Sequence, residues 1–190
     1  MCGRMNVFDA PITRYLLGEL GLEFHTPTNT DLRPTQRVDT LMLGADSGLH
    51  QVETRWGIQP QWAKRILINA QAESAHEKRT FKTAFAQSRC LVPVTGWYEW
   101  RKESSAKTKY LFTQQNEQPL FMGGLVFQGE QHPELVTFTI APNEKCAAYH
   151  HRMPLFVLPE QIDYWFNSSV QELQPLLAPV DSELIKVQAV

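Results

Sequence analysis

Apolar positions recur at helical spacing near the N-terminus. Ile12, Tyr15, Leu16 and Leu20 fall three and four residues apart; Asp9 stands before them as a cap, and Gly21 ends the run. An amphipathic helix capped at Asp9-Ala10-Pro11 and stopped by Gly21 is therefore predicted. Residues 22–37, rich in Thr, Pro and Asn, read as a long loop. Strand patterns follow at 38–43 and 49–56, joined by the turn residues Gly44-Ala45-Asp46-Ser47-Gly48, and a short buried strand at 66–68. Residues 72–87 return to a helical pattern, with Glu73, Glu77, Lys78 and Lys82 facing outward. The second half is strand-rich, with apolar or β-branched segments at 89–101, 110–114, 120–127, 135–141 and 155–158. Short helices are predicted over 144–149 and 159–166, the latter with Pro159 at its start, and Leu184, Ile185, Val187 and Val190 make a closing strand. No repeat, low-complexity stretch or linker interrupts the pattern. It predicts one α+β domain over 1–190, with a mixed or antiparallel, barrel-like β-sheet flanked by short helices.

Composition narrows the class. The chain has 190 residues, enough for one well-buried core, and is 43% hydrophobic and 20% charged, as ordinary globular proteins are. No apolar run reaches membrane-spanning length, so no membrane partner is expected. No basic n-region followed by an apolar stretch opens the chain, which predicts a cytoplasmic protein with reduced thiols. The three cysteines, Cys2, Cys90 and Cys146, show no C-x-x-C spacing. That argues against a disulfide framework and structural zinc, and neither metal nor cofactor is expected. Cys90 lies in an apolar run and Cys146 in a short helix, so both are read as core thiols.

A net charge of −2 by itself predicts no nucleic-acid partner, but the charge is unevenly distributed. Between Arg55 and Lys109 there are eleven Lys/Arg against four Asp/Glu, whereas both flanks are acidic. A basic middle in an acidic protein makes either a solvated face or the one-sided positive surface an anionic polymer requires.

Four segments carry candidate chemistry. Met1-Cys2-Gly3-Arg4 places a small residue second, so initiator removal would leave an N-terminal Cys. Its α-amine, with a reference pKa of about 8, and its neighbouring thiol would both be nucleophilic near neutral pH. An aldehyde condenses with the amine to a Schiff base, and the thiolate closes on the same carbon to give a thiazolidine. Asn69, between Ile68 and Ala70, reads either as a helix cap or as a positioned polar group in a cleft. Strand alternation in Gly96-Trp97-Tyr98-Glu99-Trp100 puts Trp97 and Glu99 on one face. Glu99 is then either an exposed carboxylate or a desolvated one fit for general acid/base work. His150 and His151 are adjacent but lack a third ligand at suitable spacing, so a metal reading is set aside. His150 near Arg152 is either a loop histidine or a proton donor beside an anion.

Taken in order along the chain, Cys2-Gly3-Arg4, Trp56-Gly57, Asn69-Ala70 with Glu73, Gly96-Trp97-Tyr98-Glu99-Trp100 and His150-x-Arg152-x-Pro154 resemble the SOS-response-associated peptidase (SRAP) family. Members of that family act on abasic sites in single-stranded DNA. The resemblance implies that Cys2 is the nucleophile and that Asn69 holds the N-terminal cysteine and the opened sugar. Glu99 would shuttle protons, and His150 would open the sugar ring by protonating its oxygen. It further implies that Pro34, Trp62 and Thr139 line a DNA groove and that Arg4 and Arg152 contact phosphates. Three positions depart from the family pattern. Gln71 stands at a DNA-contacting position where an Arg is common, the loop that often reads Asn-x-Ala-Pro is Asp31-Leu32-Arg33-Pro34, and His151 replaces a frequent Asp. Arg33 is proposed to restore the charge missing at Gln71. The implied partner is single-stranded DNA with abasic sites, bound by a monomer that associates with the nucleoid when on DNA. Two readings from other classes compete: an N-terminal-nucleophile amidase that removes its own Met1, and a non-covalent single-stranded-DNA binding module.

Overall fold

Twelve strands among the described residues form two sheets, and the more apolar sheet closes on itself. The structure, a computed structural model, describes residues 2–103 and 106–190. In chain order the elements are β1 (Met5–Val7), α1 (Asp9–Leu20), β2 (Asn29–Leu32), β3 (Arg37–Leu43), β4 (Leu49–Trp56), β5 (Asn69–Gln71), α2 (Ala72–Ala75) and α3 (Lys82–Gln87). There follow β6 (Arg89–Val94), β7 (Gly96–Glu103), β8 (Ala106–Gln114), β9 (Leu120–Phe127), β10 (Glu134–Ile140), α4 (Glu144–Ala147), β11 (Met153–Pro154), α5 (Ile162–Asn167) and β12 (Ile185–Ala189). Strands β10, β4, β3, β6 and β9 pair in succession, and β9 pairs back onto β10. The expected α+β class and barrel-like sheet are therefore present. Closure removes the exposed edges an open sheet would present. It also explains why β6 and β9 read as unbroken apolar runs, since both are buried along almost their whole length. The second sheet, in the order β12-β8-β7-β1-β2, is antiparallel throughout.

Strand β10 organises the functional end of the molecule. Its first residues pair with β4 on one side and β9 on the other. Further along, β5 replaces β4 as the parallel neighbour, from Thr137↔Asn69 to Thr139↔Gln71. On the opposite side β11 replaces β9, pairing Thr139 with Pro154. The far half of β10 thus gathers the Asn69 segment and the chain just after Arg152. In the other sheet β1 pairs antiparallel with β7 through Met5↔Trp97. The register runs on through a bond from the Tyr98 N–H to the Arg4 carbonyl, bringing the Cys2 end alongside Glu99.

Several local expectations need correction. Asp9 is the first residue of α1 rather than its cap; Phe8 holds the cap position without a side-chain bond. The Asp9 carboxylate instead accepts from Thr13 Oγ1 and the Thr26 N–H, tying the helix to the following segment. Gly21 does end α1, in the left-handed region at φ 64°. The loop read over 22–37 contains β2, whose polar residues hide a strand pattern. The three-residue β1 likewise escapes any periodicity test. At 66–68 only Leu67 pairs, in an isolated bridge with Ile58, and the strand begins at Asn69. The single helix over 72–87 is two short ones. Ala72 and Ala75 are buried in α2, which packs on β10, and Ala84 and Phe85 in α3, which packs on β6 and β9. The charged stretch between them has no apolar face to bury. The 89–101 run divides at Thr95, where the chain passes from the barrel to the other sheet and bonds to Asn6 through both its N–H and its hydroxyl. Gly96 is needed there because a Cβ would stand 2.3 Å from the Phe112 carbonyl oxygen. The strand expected at 155–158 forms earlier, at Met153–Pro154, and of the expected residues only Phe156 pairs, in an isolated bridge with Met122. Its neighbours bond to Phe138 on β10 and Phe121 on β9, filling the gap where those strands part.

Trp56 and Gly57 anchor the loop that leads to Asn69. The fully buried Trp56 indole donates from Nε1 to the Ile68 carbonyl at 3.1 Å. Gly57 adopts φ 114°, and a Cβ there would lie 2.5 Å from Ile66 Cδ1. Gly57→Ala is therefore expected to destabilise the fold by about 1–3 kcal/mol, read from the urea midpoint at unchanged m-value.

Candidate active site

Cys2 is 1% exposed, so its environment rather than solvent sets its reactivity. Burial pushes its thiol far above the ordinary range, and the neighbouring Glu99 carboxylate adds to the effect. A thiol so placed arrives protonated and needs a base. Glu99 sits on β7, on the face shared with Trp97, which stacks on Phe112 with centroids 4.7 Å apart. Burial among these groups raises the Glu99 carboxyl to about 7, so both its protonated and ionised forms are populated at neutral pH. Of its two readings, the exposed carboxylate is excluded, since Glu99 is 5% exposed.

Asn69 does not cap α2; Gln71 stands at that position and makes no side-chain cap bond. The Asn69 Nδ2 group donates to the Cys2 carbonyl at 2.9 Å, and its Oδ1 accepts from Thr137 Oγ1 at 2.6 Å. The positioned-polar-group reading therefore holds, and the group it positions is Cys2.

His150 follows α4, with its backbone N–H bonded to the Cys146 carbonyl at 3.1 Å. Its Nδ1 lies 3.0 Å from both the N–H and the carbonyl oxygen of Arg152. A neutral ring accepts there from the N–H and carries its proton on Nε2, whereas a protonated ring donates to the carbonyl. The same anchor thus serves both protonation states of the ring. Burial lowers the His150 pKa, and the charge of His151, stacked at 4.2 Å between centroids, contributes in the same direction. Among the described residues no group of three His, Cys, Asp or Glu side chains is arranged to hold a metal ion. Cys146 is buried behind this segment, and burial pushes its thiol up to about 12.

The remaining residues implied by the resemblance fall into three groups. Arg152 donates from Nη2 to Glu73 at 2.7 Å and to the Thr139 carbonyl at 2.6 Å, with Nε 3.4 Å from Thr139 Oγ1. Burial opposes ionisation of Glu73, but the bonds from Arg152 and the Ala141 N–H outweigh it and hold the carboxyl below its usual range. Thr139 is buried, so its hydroxyl acts on Arg152 and Ala70 rather than facing solvent; Gln71, its strand partner, is exposed. On the other sheet Arg4 pairs with Asp31 and lies 5.4 Å over the Trp100 ring, and Lys109 lies 3.8 Å over Tyr98. Arg33 also pairs with Asp31, at the end of β2, so it stands with Arg4 while Gln71 stands with Thr139 on the barrel. Pro34 and the 69% exposed Trp62 share an anchor: the Thr35 N–H bonds to the Trp56 carbonyl, where the Trp62 loop begins.

Sequence reading missed Thr137, the Trp56 indole bond and Asp31. Thr137 had a detectable signal, because Thr137 and Thr139 alternate with Val136 and Phe138 on an apolar strand. A concavity of about 350 Å³ lined by Arg55, Gln128 and His132 lies at the opposite end of β10, remote from these groups and without a nucleophile.

Residues 1–190 match the family model described as SOS response associated peptidase (SRAP). Among relatives, the abasic site processing protein YoqW of Bacillus subtilis (strain 168) is 31% identical over 202 residues, covering 96% of this chain and 89% of its own. The abasic site processing protein YedK of Escherichia coli (strain K12) is 31% identical over 135 residues, covering 68% of this chain and 61% of its own. A crystal structure of a protein from Bordetella bronchiseptica has the same fold, with a TM-score of 0.86 at 19% identity over 100% of this chain and 99% of the other.

Proposed function

Because this chain belongs to the SOS response associated peptidase family, we propose that it processes abasic sites in single-stranded DNA, capturing the sugar aldehyde covalently on Cys2. The observation that carries the reading is the grip of Asn69 on the Cys2 carbonyl beside a carboxyl that titrates at about 7. An abasic sugar is mostly a closed hemiacetal. His150 gives its Nε2 proton to the ring oxygen while the C1′ hydroxyl loses its own proton to water, and the ring opens to the C1′ aldehyde. With Met1, which lies outside the described residues, removed, the Cys2 amine adds to C1′. Glu99 carries the two amine protons in turn to the aldehyde oxygen, so one water leaves and a neutral imine forms. The Cys2 sulphur then adds to the imine carbon while Glu99 accepts the thiol proton. Glu99 passes that proton to the imine nitrogen as the thiazolidine closes, and is left ionised as it began. Holding both nucleophiles of one residue beside one carbon makes the second addition intramolecular.

Before chemistry, affinity would come from phosphate contacts and base stacking. Lys64, Arg65, Lys78, Arg79 and Lys82 are exposed on the segments either side of β5, as is Trp62. Arg152, with Nε and Nη2 already engaged, would offer Nη1 to a phosphate. Arg152→Ala is expected to weaken binding of any single strand, abasic or not, and to reduce the salt slope of log K by about one, measured by fluorescence anisotropy between low and moderate salt. An unchanged slope would remove Arg152 from the phosphate contacts.

The test of the reading mixes protein shown by intact mass to begin at Cys2 with a single-stranded oligonucleotide bearing one abasic site. A band that survives denaturation without reductant, with the mass of protein plus DNA minus one water, is the expected result. Tight binding to abasic and intact strands alike, with no covalent product, would leave a binding module. Turnover of peptides without DNA affinity would leave the amidase.

A further inference from the structure

We propose that Thr137 is a positioning residue for this reaction: its hydroxyl fixes which end of the Asn69 carboxamide faces Cys2. The inference rests on the covalent reading above for its effect on rate, but its structural content stands apart from it.

A carboxamide is nearly symmetric in shape, and only its donor and acceptor pattern distinguishes its two ends. At Asn69 that pattern is imposed from β10. Thr137 is 1% exposed and lies directly opposite Asn69 in the parallel pairing of β10 with β5. Its Oγ1 is 2.6 Å from Asn69 Oδ1 and 3.3 Å from the Ile68 carbonyl. That carbonyl already accepts the Thr137 N–H at 3.0 Å and the Trp56 Nε1–H at 3.1 Å. Both of its lone pairs are engaged, so the single hydroxyl proton of Thr137 goes to Asn69. With a donor on Oδ1, Nδ2 must face the Cys2 carbonyl, as it does at 2.9 Å. The flipped amide would set Oδ1 against that carbonyl, two acceptors in contact, with Nδ2 facing the hydroxyl. The Cys2 carbonyl carbon is bonded to the Cα that bears the amine and the side chain. Orienting the amide therefore fixes the carbonyl from whose neighbouring Cα both reacting groups project. Thr137 touches neither DNA nor the reacting atoms in this scheme and acts only through Asn69.

Thr137→Val keeps the shape of the side chain and removes the hydroxyl, whereas Thr137→Ser keeps the hydroxyl and removes a methyl. In single-turnover crosslinking, Thr137→Val is expected to slow the rate at saturating DNA about tenfold or more, because small misplacements of reacting groups are costly. The DNA concentration giving half-maximal rate should change less than about twofold, as expected when ground-state binding is untouched. Thr137→Ser should recover most of the rate. In NMR spectra without DNA, the Asn69 side-chain N–H protons should exchange slowly with solvent in wild type and Thr137→Ser, and fast in Thr137→Val. If Thr137→Val does not fold, Thr137→Ala against Thr137→Ser makes the same comparison. A hydroxyl-free variant reacting at the wild-type rate, or Asn69 protons equally protected in every variant, overturns the proposal. A wild-type protein that forms no crosslink removes the covalent reading instead, and the Asn69 exchange signal then decides Thr137 alone.

Discussion

Replacing Cys2 by alanine is expected to lower the yield of denaturation-resistant product with abasic single strands at least about a hundredfold, because the sulphur closes the ring that makes the adduct durable. The α-amine remains in that variant, so an imine can still form. It hydrolyses on denaturation but is trapped by borohydride, which separates the two roles of one residue. Cys2→Ser should behave like Cys2→Ala in the absence of reductant, since a hydroxyl is a far weaker nucleophile toward the imine carbon. Loss of fold is not the expected cause. Cys2 is buried at 1% exposure, but removing one sulphur from such a site costs only about 1 kcal/mol. Matched thermal midpoints and undiminished binding to intact single strands would show this. Undiminished denaturation-resistant product in Cys2→Ala would sink the thiazolidine mechanism.

Glu99→Gln should give the second largest loss, about 10²–10⁴-fold in crosslinking rate, the range general acid/base catalysis supplies. The amide matches the carboxyl in size but cannot take the proton from the amine or thiol of Cys2. Where ring opening by His150 is not limiting, the wild-type rate should rise with pH through about 7 as Glu99 ionises, and that limb should be absent in Glu99→Gln. Stability moves the opposite way. The folded pKa is raised, so folding favours the protonated carboxyl. The native state loses stability as pH rises from the ordinary glutamate range through about 7, and no more above it. Glu99→Gln should therefore be more stable than wild type at pH 8, by on the order of 1–3 kcal/mol, and nearly equal to it at pH 4. A variant both slower and less stable at pH 8 would identify Glu99 as a packing residue and contradict the acid/base role.

Much of the fold was legible because its strands are buried in a regular way. The turn at 44–48, the apolar runs of β6 and β9 and the stop at Gly21 all follow from local chemistry acting on a two-residue or 3.6-residue period. The errors cluster where pairing is long-range. Strands β1 and β2 have three and four residues, too few for a period to register, and they exist because β7 offers an edge to β1. The helix over 72–87 breaks because its two ends pack on different strands of one barrel.

The same division runs through the site. Residue types marked Cys2, Asn69, Glu99 and His150 as candidates, each with a bland reading beside it, and only the resemblance to the SRAP family joined them into one set. For Asn69 and Glu99 the sequence left two readings open, and the tertiary structure removed the helix cap at one and the exposed carboxylate at the other. The Asn69 carboxamide reaches Cys2, 67 residues away, only because β5 runs parallel to β10. The Glu99 carboxyl is raised to about 7 because the fold buries it to 5% exposure and strips water from it. A chain fixes which groups it carries. Desolvation and hydrogen-bond direction, which decide what those groups do, depend on neighbours that the fold alone brings within reach.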